Sequence, residues 1–268
     1  MLCSILINSW LFMRISILGA GRVAHHLAQA LTPQHDIVDV YSRSMSSAQQ
    51  LAQRVAARGV TQVEQLNPDI DLAIIAVSDQ AIETVIQQVT SHLTNTLIVH
   101  TSGSTHMDVL AQVHDRVGVF YPLQTFSFES EIDWQATPLF IEAKYQQDQE
   151  QLMHLAKDLS QRVYAYNSTQ RLSLHLAAVF ACNFSNYCFD MAKQILDAKQ
   201  VDFSLLHPLM LETAKKATQH DPKQVQTGPA KRGDQQILTL HQMMLQQAKR
   251  EDLQQVYALM SQQIQQQQ

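Results

Sequence analysis

Cysteine is scarce in this sequence, and the few cysteines form no pattern. There are three, Cys3, Cys182 and Cys188, without a C-x-x-C pair. An odd number at these spacings supports neither a disulfide framework nor a zinc site. We therefore expect a protein of a reducing compartment, the cytoplasm, with no bound metal.

Motifs of several common enzyme classes are missing as well. The sequence has no G-x-S-x-G nucleophile turn and no G-x-x-x-x-G-K-[ST] phosphate loop. No group of His, Asp and Glu stands at the spacing of metal ligands. These absences argue against an esterase-type hydrolase, a P-loop nucleotide enzyme and a metal-dependent enzyme.

Positive charge is not in excess. The chain has 19 Lys and Arg against 24 Asp and Glu, which gives a formal net charge of -5. The charges are scattered, so no basic face is expected for nucleic acid or an anionic membrane. The sequence therefore points to a small-molecule substrate, without nucleic-acid or membrane partners.

The first twelve residues, Met1 to Phe12, are mostly apolar but lack the positively charged start of a secretion signal. The first basic residue is Arg14, which follows the apolar run and leads directly into a strand-like segment. We expect this lead to be either the product of an upstream start, with Met13 as the true start, or a short disordered segment.

Strand-like apolar runs alternate with helical patterns through the first part of the chain. The runs lie at 13–18, 36–41, 71–77, 96–100, 116–120, 137–142 and 162–166. This alternation predicts a mostly parallel, doubly wound α/β sheet. The run 71–77 is almost entirely apolar, as expected of a strand covered by helices on both faces.

The pattern changes after Asn167, where glycine nearly disappears and helical periodicity continues to the C-terminus. Helices are predicted at 169–198, 202–219, 233–248 and 251–265, with a turn at 227–229. The sequence thus predicts two domains, an α/β domain at 13–166 and an all-helical C-terminal domain at 167–268.

The most informative motif is a glycine-rich turn, Gly-Ala-Gly-Arg-Val-Ala at 19–24, between the first strand and the first helix. Gly19 permits a tight turn, and Gly21 lets the backbone approach a pyrophosphate. The N-terminus of the helix, with Arg22 and Val23 in its first turn, would face the phosphates. This motif predicts a Rossmann dinucleotide-binding domain.

The end of the second strand selects the cofactor. An NAD-binding domain usually carries Asp or Glu there for the ribose hydroxyls, but this sequence has Ser42, Arg43 and Ser44. A guanidinium between two hydroxyls suits the 2'-phosphate of NADP(H), which is therefore the predicted cofactor. The alternative is that Arg43 is only a solvated charge and Asp39 turns towards the ribose.

Polar residues also follow two later strands. Val77 and Ser78 end the run at 71–77, and Thr101, Ser102 and Ser104 follow the run at 96–100. Ligands of open α/β sheets lie beyond the carboxyl ends of the strands. All five are therefore predicted to border the ligands, with Ser104 a candidate catalytic hydroxyl. The hydroxyls can equally cap turns and helices.

The predicted long helix carries polar residues on one face. His175 and Asn183, eight residues apart with Val179 between them, share this face and are candidate catalytic residues. The alternative is a histidine satisfied within the helical core. In the turn at 227–234, Arg232 can clamp a substrate carboxylate, or the segment can be a helix-linking turn capped by Asp234.

Six motifs occur in order along the chain: ILGAGRV at 17–23, AVSD at 76–79, HTSGS at 100–104, YPLQTF at 121–126, HLAAVFACN at 175–183 and TGPAKRGD at 227–234. Together they resemble the bacterial Rossmann-like proteins with a C-terminal domain of unknown function 2520. The resemblance implies an NADP oxidoreductase whose nucleotide domain is similar to those of pyrroline-5-carboxylate reductases and deazaflavin-dependent NADP reductases.

The sequence departs from the related hydroxyacid dehydrogenases at one position. Their catalytic lysine stands four residues before an asparagine, and Val179 takes that place before Asn183. His175, one helical turn away, would then supply the proton that accompanies hydride transfer.

The leading hypothesis is an NADP(H)-dependent oxidoreductase acting on a small carbonyl or imine compound held between the two domains. The alternative is a non-catalytic, NADP(H)-binding regulatory protein whose helical domain serves dimerisation. A homodimer through the helical domain is a further expectation.

Overall fold

The computed structural model describes residues 12–267. Apart from Phe12, the lead segment discussed above lies outside these described residues. The described chain forms two compact units, the first ending at Val179 and the second beginning at Phe180. This division differs from the domain boundary predicted at 166–167, which stays a prediction.

The first unit is built on one eight-stranded sheet. Its strands are β1 (Arg14–Leu18), β2 (Asp36–Tyr41), β3 (Arg58–Val60), β4 (Leu72–Ile75), β5 (Leu97–His100), β6 (Val117–Pro122), β7 (Leu139–Ala143) and β8 (Val163–Ala165). They lie in the order β3-β2-β1-β4-β5-β6-β7-β8. Among the strand pairs within residues 12–267, only β6–β7 is antiparallel. The predicted doubly wound, mostly parallel sheet is confirmed.

Helices cover both faces of this sheet. They are α1 (Arg22–Leu31), α2 (Met45–Arg54), α3 (Asp79–Val89), α4 (Asp108–Ala111), α5 (Gln146–Leu159) and α6 (Ser168–Ala178). Helices α1, α2 and α5 pack on one face against residues such as Ile17 and Ile74. Helices α3 and α4 pack on the other face against Ala73 and Ile75. Because both faces are covered, every residue of β4 is buried.

Each of the seven predicted strands is found in the sheet, and β3 is an addition. This strand has three residues, too few to show a period in the sequence. Its Gly59 lies against α2, where an added Cβ would be 3.0 Å from the backbone nitrogen of Gln49. A short strand of this kind forms through its contacts with β2 and α2 rather than through its own pattern.

The second unit is helical, as predicted. A π-helical turn (Val179–Phe184) joins α6 to α7 (Ser185–Asp197). The remaining helices are α8 (His207–Gln219), α9 (Pro229–Arg232), α10 (Gln235–Gln247) and α11 (Glu251–Gln266). Between residues 12 and 267, no helix is long and apolar enough to cross a membrane.

This helical unit buries few of its apolar side chains. Among its described residues, the buried ones are Met191, Ala230, Leu238 and Leu253. Many large apolar side chains are instead exposed: Phe180, Phe184, Tyr187, Phe189, Ile195, Val201, Leu205, Leu209, Leu211, Leu240, Met243, Met244, Leu259 and Met260. So much exposed apolar surface is unusual for a monomeric unit of this size.

Candidate functional site

The turn after β1 needs glycine at its first position. Gly19 has a φ of +131°, a region that other residues rarely adopt. A Cβ there would also lie 2.2 Å from the carbonyl oxygen of Ala76. The turn is further fixed by the Gly19 amide, which donates to the Tyr41 carbonyl at 2.8 Å. Gly19 is therefore required by the fold of the turn itself.

Gly21 has the opposite surroundings. A Cβ on this residue would meet nothing within 4 Å, so a side chain there would project into open space. Gly21 is also the N-cap of α1, and no side chain caps the amides of the first turn. An uncapped helix N-terminus beside open space suits an anion such as a pyrophosphate. The residues of this turn therefore fit a dinucleotide.

A groove of about 1100 Å³ lies in front of this turn. Eight of the predicted cofactor-binding residues line it: Gly19, Gly21, Arg22, Val23, Ser42, Arg43, Val77 and Ser78. Ser44, Thr101 and Ser102 do not. The groove also brings in residues that the sequence did not single out for the cofactor: Ala20, Tyr41, Ser47, Ala76, Gln80, Ala81, Thr84, Val85, Gln88, Phe126 and Phe128. Its volume is slightly above the usual range for small-molecule sites, about 300–1,000 Å³.

Arg43 is exposed at one part of the groove. Within residues 12–267 its guanidinium has no hydrogen bond, ion pair or ring contact. The neighbouring serines already have local roles, because the Ser42 hydroxyl accepts from the Ser44 amide at 3.3 Å. The Ser44 hydroxyl caps α2 by accepting from the Ser47 amide at 3.4 Å. Arg43 therefore remains available for an anionic ligand.

Asp39 is engaged elsewhere. Its carboxylate is fully buried and forms an ion pair with Arg58 at 2.6 Å. It also accepts from the Asn67 amide at 2.7 Å and from the Ser16 hydroxyl at 3.3 Å. The alternative in which Asp39 turns towards a ribose would break all three interactions.

The loop after β5 is held by its own hydroxyls. Thr101 and Ser102 are both buried, and the Ser102 hydroxyl accepts from the amides of Ser104 and Thr105 at 3.1 and 2.9 Å. The Ser104 hydroxyl donates to the Asp79 carboxylate, which ties this loop to the start of α3. The turn-forming role that the sequence left open is thus observed for Ser102, whereas Ser104 is only half-buried.

A tyrosine and a histidine meet beside this loop. The Tyr121 hydroxyl lies 3.3 Å from Nδ1 of His175. Burial raises the pKa of Tyr121 to about 12, the nearby Arg171 opposes this shift, and Asp79 adds to it. Tyr121 therefore stays protonated at neutral pH. Because His175 is half-buried rather than enclosed in a helical core, the polar pair is open to solvent on one side.

Helix α6 is anchored one turn before His175. Arg171 is 1% exposed and pairs with the Glu142 carboxylate of β7 at 2.5 Å. It also donates to the Thr105 carbonyl, and Ser168 donates to the same Glu142 at 2.7 Å. These bonds fix the start of α6 on the sheet, and they thereby fix the position of His175.

His100, at the end of β5, is fully buried. Its Nδ1 accepts from the Ser102 amide at 3.1 Å. Burial, and to a smaller extent the charges of Arg171 and His106, lowers its pKa to about 3. His100 is therefore neutral at physiological pH and serves the packing of the loop.

The other candidates lie in the second unit. Asn183 is exposed within the π-helical turn, a feature that is often found at functional sites. The prediction that it shares a face with His175 stays a prediction. Arg232 ends α9, and the Asp234 carboxylate caps α10 by accepting from the Ile237 amide at 3.2 Å. The helix-linking turn capped by Asp234 is thus present.

Two family models match successive parts of the chain. Residues 10–124 match the Rossmann-like domain, and residues 137–264 match the domain of unknown function DUF2520. A protein from Bacteroides fragilis, solved as a "putative NADP oxidoreductase", is 40% identical. It covers 96% of this chain and 100% of its own, with a TM-score of 0.90.

The chain belongs to the family of Rossmann-like proteins with a C-terminal DUF2520 domain. The resemblance drawn from the six motifs is thus confirmed. Among curated proteins, none is similar enough to count as a relative.

More distant structures share the fold. An imine reductase from Myxococcus stipitatus, in complex with NADP+, is 16% identical with a TM-score of 0.68, covering 94% of this chain and 92% of its own. A pyrroline-5-carboxylate reductase from Coxiella burnetii is 12% identical with a TM-score of 0.58, covering 94% and 98%. NADP, the predicted cofactor of this family member, is also the cofactor named for the Bacteroides and Myxococcus proteins.

Proposed function

We propose that this protein is an NADP(H)-dependent oxidoreductase acting on a small carbonyl or imine compound. The observation that carries the proposal is that the candidate residues lie together at the carboxyl ends of the strands. The glycine turn, the unengaged Arg43 and the Tyr121–His175 pair all follow carboxyl ends of parallel strands or pack against them. Ligands of open α/β sheets bind at this edge.

The groove residues would hold the cofactor. The uncapped amides after Gly21 suit the pyrophosphate, and Arg43 suits a 2'-phosphate through charge-assisted hydrogen bonds. When bound, the nicotinamide would supply or accept a hydride. The protein's own task is to orient the reactants and to provide the proton.

His175 is the proposed proton donor. The Tyr121 hydroxyl keeps its own proton and can accept a hydrogen bond from Nδ1–H of His175. In the protonated ring Nε2–H is not used by Tyr121, and release of that proton leaves a neutral imidazole with its remaining proton on Nδ1. Addition of a hydride to a C=O or C=N carbon leaves an oxygen or nitrogen that needs this proton. In the reverse direction, the same nitrogen accepts it.

Two other candidate catalytic residues have less structural support than His175. The Ser104 hydroxyl is half-buried and already donates to Asp79, so a hydrogen bond to a substrate oxygen would replace that contact. Asn183, on the π-helical turn, offers an amide for the same purpose. Both stay predictions, as do the location of the substrate between the two domains and the cytoplasmic location.

Cofactor titration tests this proposal directly. Calorimetry on the purified protein should show tighter binding of NADPH than of NADH. Gly21→Val should abolish binding of both while circular dichroism stays unchanged, because the side chain enters open space. Consumption of NADPH in a panel of small aldehydes, ketones and cyclic imines then measures turnover. Failure of the wild type to bind either cofactor would overturn the proposal.

The second candidate function is a non-catalytic NADP(H)-binding regulatory protein. The exposed apolar side chains of the helical unit favour a role in association. NADPH binding with no turnover in any substrate class, and no effect of His175 substitutions, would favour this candidate over the oxidoreductase.

Association through the helical unit is compatible with either function. We propose that a second copy of the chain covers the exposed apolar faces of α7, α8, α10 and α11. Over its described residues, 180–267, this unit buries four apolar residues, too few for a core of its own. Homodimer interfaces supply such a core from two identical surfaces. Each copy carries the same apolar faces, so an isologous pair can bury both at once.

Sedimentation equilibrium tests the assembly. A mass near twice the 30.3 kDa of one chain is expected. Leu209→Lys should shift the population towards monomer, because it places a charge on the apolar surface of α8. Val113→Lys, which changes an exposed apolar residue of the first unit, is the matched control. A monomeric wild type at micromolar concentration would contradict the proposal.

A further inference from the structure

The loop between β6 and β7 places two aromatic rings at the cofactor groove. Phe126 and Phe128 both line the groove, although neither belongs to the glycine turn or to a strand end. Phe128 is 54% exposed. A large ring so exposed, at the rim of a ligand groove, contributes little to the core and is available to a ligand.

The loop is fastened to α1 next to these rings. The buried His26 contacts the Ser127 carbonyl through Nε2 at 2.6 Å. Ser127 itself begins a tight turn, with its amide donating to the Ser130 hydroxyl at 3.2 Å. Phe126 packs against the ring of His26 at 5.6 Å and against Trp134 at 6.1 Å. These contacts hold the loop in place, so Phe128 has a defined position beside α1.

Phe128 contacts two residues of α1. Its ring packs edge-to-face on His25 at 5.6 Å, and the Arg22 guanidinium lies over it at 5.9 Å. Arg22 is the first residue of α1 and is exposed. Between residues 12 and 267 it has no hydrogen bond or ion pair. A cation held over an aromatic ring keeps all its N–H donors for another partner.

We propose that Phe128 is a positioning residue of the cofactor site, which holds the Arg22 guanidinium over the groove for the pyrophosphate. This inference rests on the proposed function. Arginine otherwise loses much rotamer freedom when it binds phosphate. Contact with Phe128 restricts the side chain before the ligand arrives, at the helix end where the amides already favour an anion. The aromatic loop thus belongs to the dinucleotide site.

The competing interpretation is that Phe128 only shields His25 and the surface of α1. In that case, truncation of the ring would lower stability without a specific effect on phosphate binding. The two interpretations differ in which ligand is affected, since NADPH contains a pyrophosphate and adenosine 2'-monophosphate does not.

Calorimetry with both ligands distinguishes them. Phe128→Ala should weaken NADPH binding about 5- to 30-fold, or about 1–2 kcal/mol. It should leave the dissociation constant of adenosine 2'-monophosphate within a factor of two. Phe128→Trp, which keeps a ring, should bind NADPH as the wild type does. Phe12→Ala removes another exposed phenylalanine, 62% exposed and outside the groove, and is the control.

A double variant tests the link to Arg22. If Phe128 acts through the guanidinium, Phe128→Ala should have little further effect on NADPH affinity in an Arg22→Ala background. Unchanged NADPH affinity in Phe128→Ala would overturn the inference and leave the proposed function standing. Equal weakening of both ligands would also overturn it, because the groove as a whole would then be disturbed. A wild type that binds no NADPH would instead refute the proposed function itself.

Discussion

The Tyr121 hydroxyl and Nδ1 of His175 lie 3.3 Å apart because Gly103 leaves room between them and the loop. A Cβ on Gly103 would be 2.6 Å from that nitrogen and 2.8 Å from the hydroxyl oxygen. Real Cβ atoms do not approach other atoms so closely. The residue that permits the pair is therefore a glycine with no unusual backbone angle and no role in the dinucleotide turn.

Gly103→Ala should separate the Tyr121–His175 pair. The new methyl group must push at least one ring aside, and such overpacking costs about 1–3 kcal/mol of stability. Nitrogen NMR of histidine-labelled protein should show changed ring signals for His175, and calorimetry should show a lower Tm. Ser104→Ala, on the next residue, is the control and should leave the ring signals in place. Unchanged His175 signals in Gly103→Ala would contradict the geometry.

His175→Gln should separate cofactor binding from chemistry. If the imidazole supplies the proton, turnover should fall by about 100- to 10,000-fold. The NADPH dissociation constant should stay near that of the wild type, because the groove residues are unaltered. Leu176→Gln, at the next, exposed position of α6, controls for a polar change on the helix. A variant with normal turnover would exclude His175 from the reaction.

Arg43→Ala should affect one cofactor only. Loss of a charged hydrogen-bond partner costs about 1.5 to 3 kcal/mol, or about 10- to 150-fold in affinity. NADPH binding should weaken by about that factor and NADH binding should hardly change, since NADH has no 2'-phosphate. Arg162→Ala removes an exposed cation outside the groove as the control. Equal losses for both cofactors would mean that Arg43 does not recognise the phosphate.

His100 should make the protein sensitive to acid. Its folded-state pKa of about 3 lies below the ordinary value of 6.5, so the unfolded chain binds more protons between these pH values. Stability is therefore fully present above pH ~6.5 and falls, by up to about 1.4 kcal/mol per pH unit, as the pH drops towards ~3.

Chemical denaturation at pH 7, 6, 5 and 4 measures this slope. His100→Asn keeps an acceptor for the Ser102 amide but cannot titrate, so its stability should depend less steeply on pH. His154→Gln, on an exposed residue of α5, should keep the steep dependence. If the slopes of wild type and His100→Asn coincide, His100 is not the acid-sensitive group.

Periodic features of the fold could be predicted from the sequence. Alternating apolar runs located seven of the eight strands, and the glycine spacing located the groove around Gly19 and Gly21. In each case the residues that define the feature are neighbours in the sequence, so the pattern can be seen without any distant contact. The three residues of β3 carry no such interval and were missed.

Other parts of the site could not be predicted because they depend on distant contacts. Gly103 and Tyr121 stand in two of the six motifs, but their roles appear only when His175 lies against both. Phe128 stands in a loop with no period, and only its contacts with α1 place it at the groove. The π-helical turn at Val179–Phe184 likewise lies inside a pattern that resembles an ordinary α-helix.

The contact between Gly19 and the Ala76 carbonyl has a consequence for synthesis of the protein. The dinucleotide turn has one wall from β2, through Tyr41, and the other from the end of β4. A nascent chain that has released only β1 to β3 from the ribosome lacks the second wall. NADPH therefore cannot assist the folding of β1 to β3 before β4 has been synthesised. It can bind and stabilise the domain only after β1 and β4 have paired, as any ligand of the native state does.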